Sequence, residues 1–215
     1  MTDMDPPSPE ASTTADKPAR QARELELDLV ARVRAGDARA FDAIHAEFNG
    51  RLFNFLARLS RRRETAEDLL DATWLRFVDR AHKLKPDTRL GPFLFTVARN
   101  LYLSYCRSRL LEDSQTADVI GLWPLGTPRP SPFESTVANE TRQRIEEALA
   151  SLPAAHREAL LLVAVEGMKP AAAAAVCGIT PEAMRQRLSR ARAAIARHLD
   201  ECDDTILVDL KAVTT

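Results

Sequence analysis

The sequence predicts an all-helical protein in which an N-terminal helical bundle is joined to a C-terminal helix-turn-helix domain. Hydrophobic residues make up 45% of the 215 residues, and along much of the chain they recur three or four positions apart, as on one face of a helix. Alternating runs rich in Val, Ile and Thr, which would indicate strands, are hard to find. A proline-rich segment near the middle separates two periodic stretches, which predicts two domains.

The first domain is expected over residues 23–110, after a tail. Residues 1–22 are rich in Pro, Ser, Thr and Asp and lack apolar periodicity, which predicts a disordered acidic tail. A first helix is expected from Glu24 to Arg34, and Asp37 is well placed to cap the second. The second helix carries an apolar stripe formed by Phe41, Ile44, Phe48, Leu52, Phe55, Leu56 and Leu59.

Two further helices complete this bundle. Thr65, with Asp68 three positions later, is typical of a capping box that opens the third helix. Residues 83–90 are predicted to form a loop, and Pro92 suits the first turn of a fourth helix that runs to about Arg109. The buried face of the third helix is expected to contain Leu70, Trp74, Phe77 and Val78.

Residues 111–136 contain four prolines and no sustained periodicity, which predicts a linker to a second domain over residues 137–199. That domain is expected to begin with a helix that buries Ile145, Leu149 and Leu152, and to continue with a central apolar helix that ends at Gly167. An acidic C-terminal tail over residues 200–215 is expected to follow.

The end of the second domain has the pattern of a helix-turn-helix. A short alanine-rich helix begins at Pro170 and ends at Gly178, and Thr180 caps a long last helix. Small residues on the short helix allow the long helix to cross it closely. The buried stripe of the last helix is formed by Met184, Leu188, Ala191, Ile195 and Leu199.

Charge is distributed unevenly although the formal net charge is only -1. Residues 76–109 carry eight basic against two acidic side chains, and residues 182–199 carry five against one, whereas both ends of the chain are acidic. The N-terminal part of the second helix of a helix-turn-helix enters the major groove, so Arg185, Gln186 and Arg187 are predicted to reach base edges. Arg190, Arg192 and Arg197 lie further along, where contacts with phosphates are expected. The alternative is a solvated helix face.

Other functional classes have little support in the sequence. No apolar run approaches the length of a membrane span, and the N-terminus is acidic, so a cytoplasmic protein without membrane insertion is expected. The three cysteines lack the spacing of a zinc site or disulfide framework, and His198 with Cys202 supplies only two ligands. A nucleophile motif and a Gly-rich phosphate loop are both missing, so neither an enzyme nor a cofactor is expected.

Several motifs resemble those of extracytoplasmic-function (ECF) sigma factors, the promoter-specificity subunits of bacterial RNA polymerase. Leu152-Pro153, Arg157, Gly167, the helix-turn-helix and Arg187-Leu188-Ser189-Arg190-Ala191-Arg192 resemble region 4 of that family. Ala66-Glu67-Asp68-Leu69-Leu70 with Trp74-Leu75-Arg76 is similar to region 2.2, and Phe93 to Asn100 followed by Arg107 is similar to regions 2.3 and 2.4. The resemblance covers roughly Leu25 to Leu199.

The resemblance implies three binding surfaces. The region 2.2 helix would dock on core RNA polymerase through Glu67, Asp68, Asp71 and Leu75. The loop and fourth helix would bind and melt the downstream promoter element through Lys83, Lys85, Arg89, Arg99, Asn100 and Arg107. The helix-turn-helix would read the upstream element. Partners implied are core polymerase, promoter DNA and an anti-sigma factor.

Some details depart from the family pattern or stay open. Asp71-Ala72 stands where the family usually has Gln-Glu, and Ala172 and Ala183 replace a usual Glu and Thr in region 4, which implies a weaker or differently specified upstream contact. At least one of Phe93 and Phe95 is expected in the core, whereas Tyr102 and Tyr105 either pack or face nucleic acid. The main rival function is a stand-alone helix-turn-helix transcription regulator whose N-terminal bundle senses a ligand or dimerises.

Overall fold

The computed structural model describes residues 16–113 and 137–213, with side chains described between residues 20 and 110 and between residues 144 and 198. Within these ranges the chain forms helices and no strand, which confirms the predicted fold class. The first domain contains α1 (Asp16–Arg34), α2 (Ala38–Ser60), α3 (Arg63–Ala81) and α4 (Leu90–Asp113). The second contains α5 (Val137–Ser151), α6 (Ala154–Leu160), a π-helical turn (Leu161–Val165), α7 (Pro170–Cys177) and α8 (Pro181–Val213).

In the first domain α2 packs against the other three helices, and α3 packs against α4. Asp37 caps α2 as predicted, because its side chain accepts a hydrogen bond from the Arg39 amide at 2.9 Å. The α2 stripe points inward and packs against aromatic rings of other helices. Phe55 of α2 and Phe95 of α4, for example, pack edge to face with centroids 5.1 Å apart. Aromatic pairs of this geometry stabilise a core beyond the area that they bury.

Two details of the first domain differ from the prediction. Thr65 is not the cap of α3, because α3 begins at Arg63 after Arg61 adopts a left-handed conformation, and the Ser60 hydroxyl bonds the backbone of Arg62 instead. Val78 is 53% exposed, whereas Leu70, Trp74 and Phe77 are buried as predicted. Val78 lies three positions from Leu75, which is 69% exposed, so both side chains point away from the bundle.

The ends of the helices also differ from the predicted bounds. Helix α1 begins at Asp16, so residues 16–22, predicted as part of a disordered tail, are helical; residues 1–15 lie outside the described part of the chain. Residues 16–22 lack glycine and contain good helix formers, and Arg20 pairs with Glu24 one turn later. Helix α8 continues past Leu199 to Val213, since neither Gly nor Pro follows Pro181. The predicted linker falls on residues 114–136, outside the described residues.

The second domain follows the predicted order of helices. Pro170 begins α7, Gly178 ends it with φ +64°, and the Thr180 hydroxyl accepts a hydrogen bond from the Ala183 amide at 3.2 Å. Ala173 and Ala174 are fully buried where α7 meets α8, which confirms the close crossing. Ile145 is 48% exposed and is not part of the core, because Ala148, Leu149 and Leu152 form the inner face instead.

The two domains pack against each other, mainly through α4 and α7. Among the residues whose side chains are described, three ion pairs cross the contact: Arg99 with Glu158, Arg58 with Glu146 at 2.7 Å, and Arg51 with Glu166 at 2.9 Å.

Buried Arg157 also spans the contact. It donates to the carbonyls of Leu149, Ala150 and Leu152 in its own domain and to that of Arg58 at 3.2 Å in the other. Burial, together with the nearby Arg61 charge, lowers the pKa of Arg157. Arginine side chains therefore link the two domains in this arrangement, which is called the closed arrangement below.

Candidate nucleic-acid interface

The predicted recognition residues lie at the start of α8, on the side away from its buried stripe. Met184, Leu188 and Ala191 are buried, which directs the intervening side chains outward. Arg185, Gln186, Arg190 and Arg192 are exposed, and Arg187 is half-buried. Arg185 forms a surface ion pair with Glu182 one turn earlier. A DNA duplex would displace Glu182 easily, since exposed ion pairs contribute little to stability.

His156 on α6 lies beneath this basic surface. Helix α6 packs closely on α8, and burial together with the positive charges of Arg190 and Arg187 lowers the pKa of His156. The neutral imidazole therefore adds no charge to the surface around neutral pH.

A pocket of about 510 Å³ opens between the end of α3 and the start of α4. Its lining combines three cations with apolar and hydroxyl groups, contributed by Arg80, Lys83, Leu84, Lys85, Thr88 and Phe93. Lys83 and Lys85 were predicted to bind nucleic acid, whereas Arg80 was not singled out. The sequence places Arg80 three residues before Lys83, in the last turn of α3, and this spacing predicts that the two cations lie close together.

The loop that forms the pocket is short and tightly built. The Thr88 amide donates to the Lys85 carbonyl at 3.0 Å, which closes a β-turn with Pro86 at its second position, where proline is favoured. Leu84 and Leu90, on either side of the turn, are buried. The exposed cations of the loop therefore project from a segment that is fixed at both ends.

The remaining residues predicted for the downstream element do not line the pocket. Arg89 and Asn100 are exposed, and exposed Arg107 donates to the Ser104 hydroxyl at 3.2 Å. Arg99 instead faces the second domain, where it pairs with Glu158, and the two side chains are only 15% and 8% exposed. The structure thus separates Arg99 from the surface that surrounds the pocket.

The predicted docking residues share the exposed side of α3. Glu67, Asp68 and Asp71 are exposed, and Arg63 pairs with Glu67 at 2.8 Å. Leu75 and Val78 add an exposed apolar patch next to them. An acidic surface next to an apolar patch suits a protein partner better than it suits DNA.

Packing decides which of the aromatic residues of α4 lie in the core and which remain accessible. Phe95 lies in the core and Phe93 lines the pocket. Tyr102 is buried, and its hydroxyl donates to the Leu59 carbonyl at 3.0 Å, so it packs; Tyr105 is half-buried.

Cysteine chemistry is also constrained by burial. Burial raises the pKa of Cys177 to about 12 with a contribution from Glu158, and it raises the pKa of Cys106 as well, so both thiols remain protonated around neutral pH.

Comparison with known proteins matches both domains to one family. Residues 44–110 match sigma-70 region 2, and residues 142–195 match sigma-70 region 4. The chain is 33% identical over 159 residues to the RNA polymerase sigma factor CarQ of Myxococcus xanthus, covering 74% of this chain and 88% of that protein. It is 32% identical to the ECF RNA polymerase sigma factor EcfG of Rhodopseudomonas palustris, covering 70% and 81%.

A solved structure has the same architecture. The sigma factor RpoE of Bartonella quintana, in complex with the anti-sigma factor NepR, superposes with a TM-score of 0.61 at 27% identity, covering 74% of this chain and 96% of that one. The match of residues 44–110 to region 2 does not favour the rival, a stand-alone helix-turn-helix regulator. The chain belongs to the ECF group of the sigma-70 family, and it is a sigma factor for promoter-specific transcription initiation.

Proposed function

We propose that the start of α8 reads the upstream promoter element while the pocket between α3 and α4 holds the opened strand of the downstream element. One observation carries this proposal: the pocket of about 510 Å³ combines Arg80, Lys83 and Lys85 with the half-buried ring of Phe93. Holding an unstacked strand needs cations for phosphates and an apolar or aromatic surface for a base. Both occur within one pocket.

On the upstream side, exposed Arg185 and Gln186 with half-buried Arg187 have the donors that recognise base edges. Arg190 and Arg192 follow on the same helix and suit phosphate contacts. The sigma-70 region 4 match spans residues 142–195 and so includes all five side chains.

On the downstream side, Arg89, Asn100 and Arg107 extend the basic surface beyond the pocket. Arg99 joins that surface only when its ion pair with Glu158 breaks. We therefore infer that α4 separates from α7 when the protein binds a promoter.

Core polymerase is proposed to dock on the exposed side of α3. The acidic residues Glu67, Asp68 and Asp71 precede Leu75 along the exposed side of α3, and Val78 extends the apolar patch that Leu75 begins. In this reading the protein acts in the cytoplasm, where RNA polymerase is found, and contributes binding rather than catalysis.

An anti-sigma factor is proposed as a further partner. Support comes from the Bartonella quintana sigma factor, whose solved structure contains such an inhibitor. A protein that binds the closed arrangement would keep Arg99 on Glu158 and away from DNA.

The test uses polymerase holoenzyme reconstituted with the full chain and compares two variants with Arg39→Ala, which removes an exposed cation at the start of α2. Arg185→Ala should weaken binding to duplex upstream DNA by about 1–3 kcal/mol, the range for loss of a bidentate base contact. Lys85→Ala should spare that duplex but weaken binding to a fork junction with a single-stranded downstream element. Equal fork-junction affinities for Lys85→Ala and Arg39→Ala would exclude the pocket from DNA binding.

A further inference from the structure

Helix α1 contacts the loop of the pocket, although it lies outside residues 44–110 that match sigma-70 region 2. The Arg23 guanidinium donates to the Asp87 carbonyl at 2.7 Å and to the Thr88 carbonyl at 3.4 Å. The Glu26 carboxylate accepts a hydrogen bond from the Leu90 amide at 2.7 Å. Arg23 and Glu26 also pair with each other, so one ion pair holds both the turn and the start of α4.

We propose that Arg23 and Glu26 are positioning residues for the downstream element: together they hold residues 85–89 in the conformation that shapes the pocket. This inference rests on the proposed role of the pocket. Neither residue is placed on the DNA, and both act through the loop backbone.

The chemistry of each contact suits this role. Asp87 and Thr88 present carbonyls that the turn itself does not use, since its internal bond employs the Lys85 carbonyl. A guanidinium presents several donors in a fixed planar fork, so Arg23 engages both carbonyls at once. The side chain of Arg23 is only 26% exposed, which strengthens such charged hydrogen bonds relative to those in water.

Glu26 supplies what the start of α4 lacks. The first amides of a helix have no partner within it, and a carboxylate near them also interacts favourably with the helix dipole. Leu90, whose amide bonds Glu26, is 1% exposed, so this donor would otherwise be buried at the helix start. Glu26 thus fixes the point from which Phe93 projects into the pocket.

Without this ion pair, only the ends of the loop remain anchored. Leu84 and Leu90 are buried, but Lys85, Pro86, Asp87 and Arg89 between them are exposed and make no core contact. The β-turn would keep its internal bond yet move as a unit. Lys85 and Thr88 would then leave the lining, and the strand would meet a pocket of altered shape.

The chain offers a matched control on the same helix. Arg20 pairs with Glu24, and these side chains are 80% and 64% exposed, whereas those of Arg23 and Glu26 are 26% and 25% exposed. Arg20→Ala therefore removes an arginine and an ion pair of α1 without touching the loop.

The experiment measures holoenzyme affinity for a fork junction and for duplex upstream DNA. Arg23→Ala and Glu26→Ala should each weaken fork-junction binding about tenfold, as expected for loss of a hydrogen bond to a charged group. Duplex upstream binding should change less than about twofold, because α8 does not depend on the loop. Arg20→Ala should match the unchanged protein on both DNAs. Glu26→Gln keeps an acceptor oxygen for the Leu90 amide but loses the charge that pairs with Arg23, so it should weaken fork-junction binding less than Glu26→Ala does.

Hydrogen exchange in the free full chain gives a second readout that does not need DNA. The Leu90 amide should exchange faster in Arg23→Ala and Glu26→Ala than in Arg20→Ala, since Glu26→Ala removes its acceptor and Arg23→Ala removes the cation that holds Glu26. A general loss of stability would instead accelerate exchange in the α2 core as well.

Three results would overturn the positioning role: equal fork-junction affinity for Arg23→Ala and Arg20→Ala, equal losses on both DNAs, or unchanged fork-junction affinity in Glu26→Ala. Lys85→Ala separates this inference from the proposed function. If Lys85→Ala weakens fork-junction binding and Arg23→Ala does not, only the positioning role is wrong. If Lys85→Ala has no effect, the pocket itself is not a DNA site.

Discussion

The upstream surface on α8 and the downstream surface on α3 and α4 are both basic, but they are built differently. The upstream arginines project from one helix whose cap, Thr180, and buried stripe lie within that same short segment. The downstream surface depends on residues far along the chain: Arg23 holds its loop from 64 residues away, and Glu158 occupies Arg99 from 59 residues away. All side chains of the upstream surface therefore lie in the second domain. The downstream surface, by contrast, lacks Arg99 as long as that side chain is paired with Glu158 of the other domain.

The largest expected effect comes from Arg157, because its side chain bonds backbone carbonyls of both domains. Arg157→Ala removes the donor for four carbonyls, three of them in the second domain, and should lower the free energy of unfolding by about 3 kcal/mol. Urea unfolding followed by circular dichroism measures this change. Arg197→Ala, at an exposed position of α8, should change stability by less than about 0.5 kcal/mol. If both variants lost the same amount of stability, the buried hydrogen bonds of Arg157 would not stabilise the fold more than an exposed arginine does.

A smaller effect is expected from Glu158, which distinguishes the two surfaces directly. Glu158→Gln removes the charge that pairs with Arg99 and leaves a poorly exposed guanidinium without its counter-ion in the closed arrangement. The closed state should then be less populated, and holoenzyme affinity for a fork junction should rise by about three- to tenfold. Duplex upstream binding should stay constant, because α8 takes no part in the ion pair.

Two further variants make this prediction specific. Glu24→Gln removes an exposed carboxylate of α1 and should leave fork-junction affinity unchanged. In an Arg99→Ala background Glu158→Gln should no longer raise the affinity, since the side chain that it frees is missing. A gain that persists without Arg99 would show that the ion pair does not control access to the downstream surface.

The smallest expected effect concerns His156, under the upstream surface. Folding lowers the pKa of His156 below its ordinary value, chiefly by burial and then through Arg190 and Arg187. The unfolded chain therefore takes up a proton more readily, so the folded protein loses stability as the pH falls from the ordinary value of 6.5 toward the lowered one. Above the ordinary histidine pKa, His156 is neutral in both states, so its contribution to the free energy of unfolding no longer changes with pH.

Thermal unfolding between pH 5 and pH 8 tests the sign. The melting temperature of His156→Gln should fall less than that of the unchanged protein as the solution is acidified below the ordinary histidine pKa, and the two curves should run parallel above it. A steeper acid loss in His156→Gln would contradict the lowered pKa.

Much of the fold followed from local patterns in the sequence. Asp37 and Thr180 were predicted as caps because a capping oxygen bonds amides only two or three residues away. Gly178 ends α7 because a left-handed residue is easiest for glycine. The same logic failed at Thr65: Arg61 is left-handed, Arg62 takes the cap position, and α3 begins three residues earlier than a Thr65 cap predicts.

The candidate site was predicted in part. Lys83 and Lys85 line the pocket, and the exposed arginines of α8 lie where the helix-turn-helix pattern puts them. Apolar spacing alone misassigned Val78 and Ile145, because an amphipathic period does not say where the apolar face ends. Val78 lies beside exposed Leu75 on the side of α3 where we propose that core polymerase docks, and a pattern based on burial does not anticipate an exposed apolar residue there.

Local patterns in the sequence were enough to predict the order of the helices and the caps at Asp37 and Thr180, since each is encoded by residues within a few turns of one another. Tertiary structure alone decided what the basic side chains face: Arg99 faces Glu158, Arg23 faces the Asp87 and Thr88 carbonyls, and Arg157 spans both domains. Those partners lie between 59 and 99 residues away, apart from the local carbonyls of Arg157. Helical periodicity repeats within a few residues, so it carries no information about such pairings.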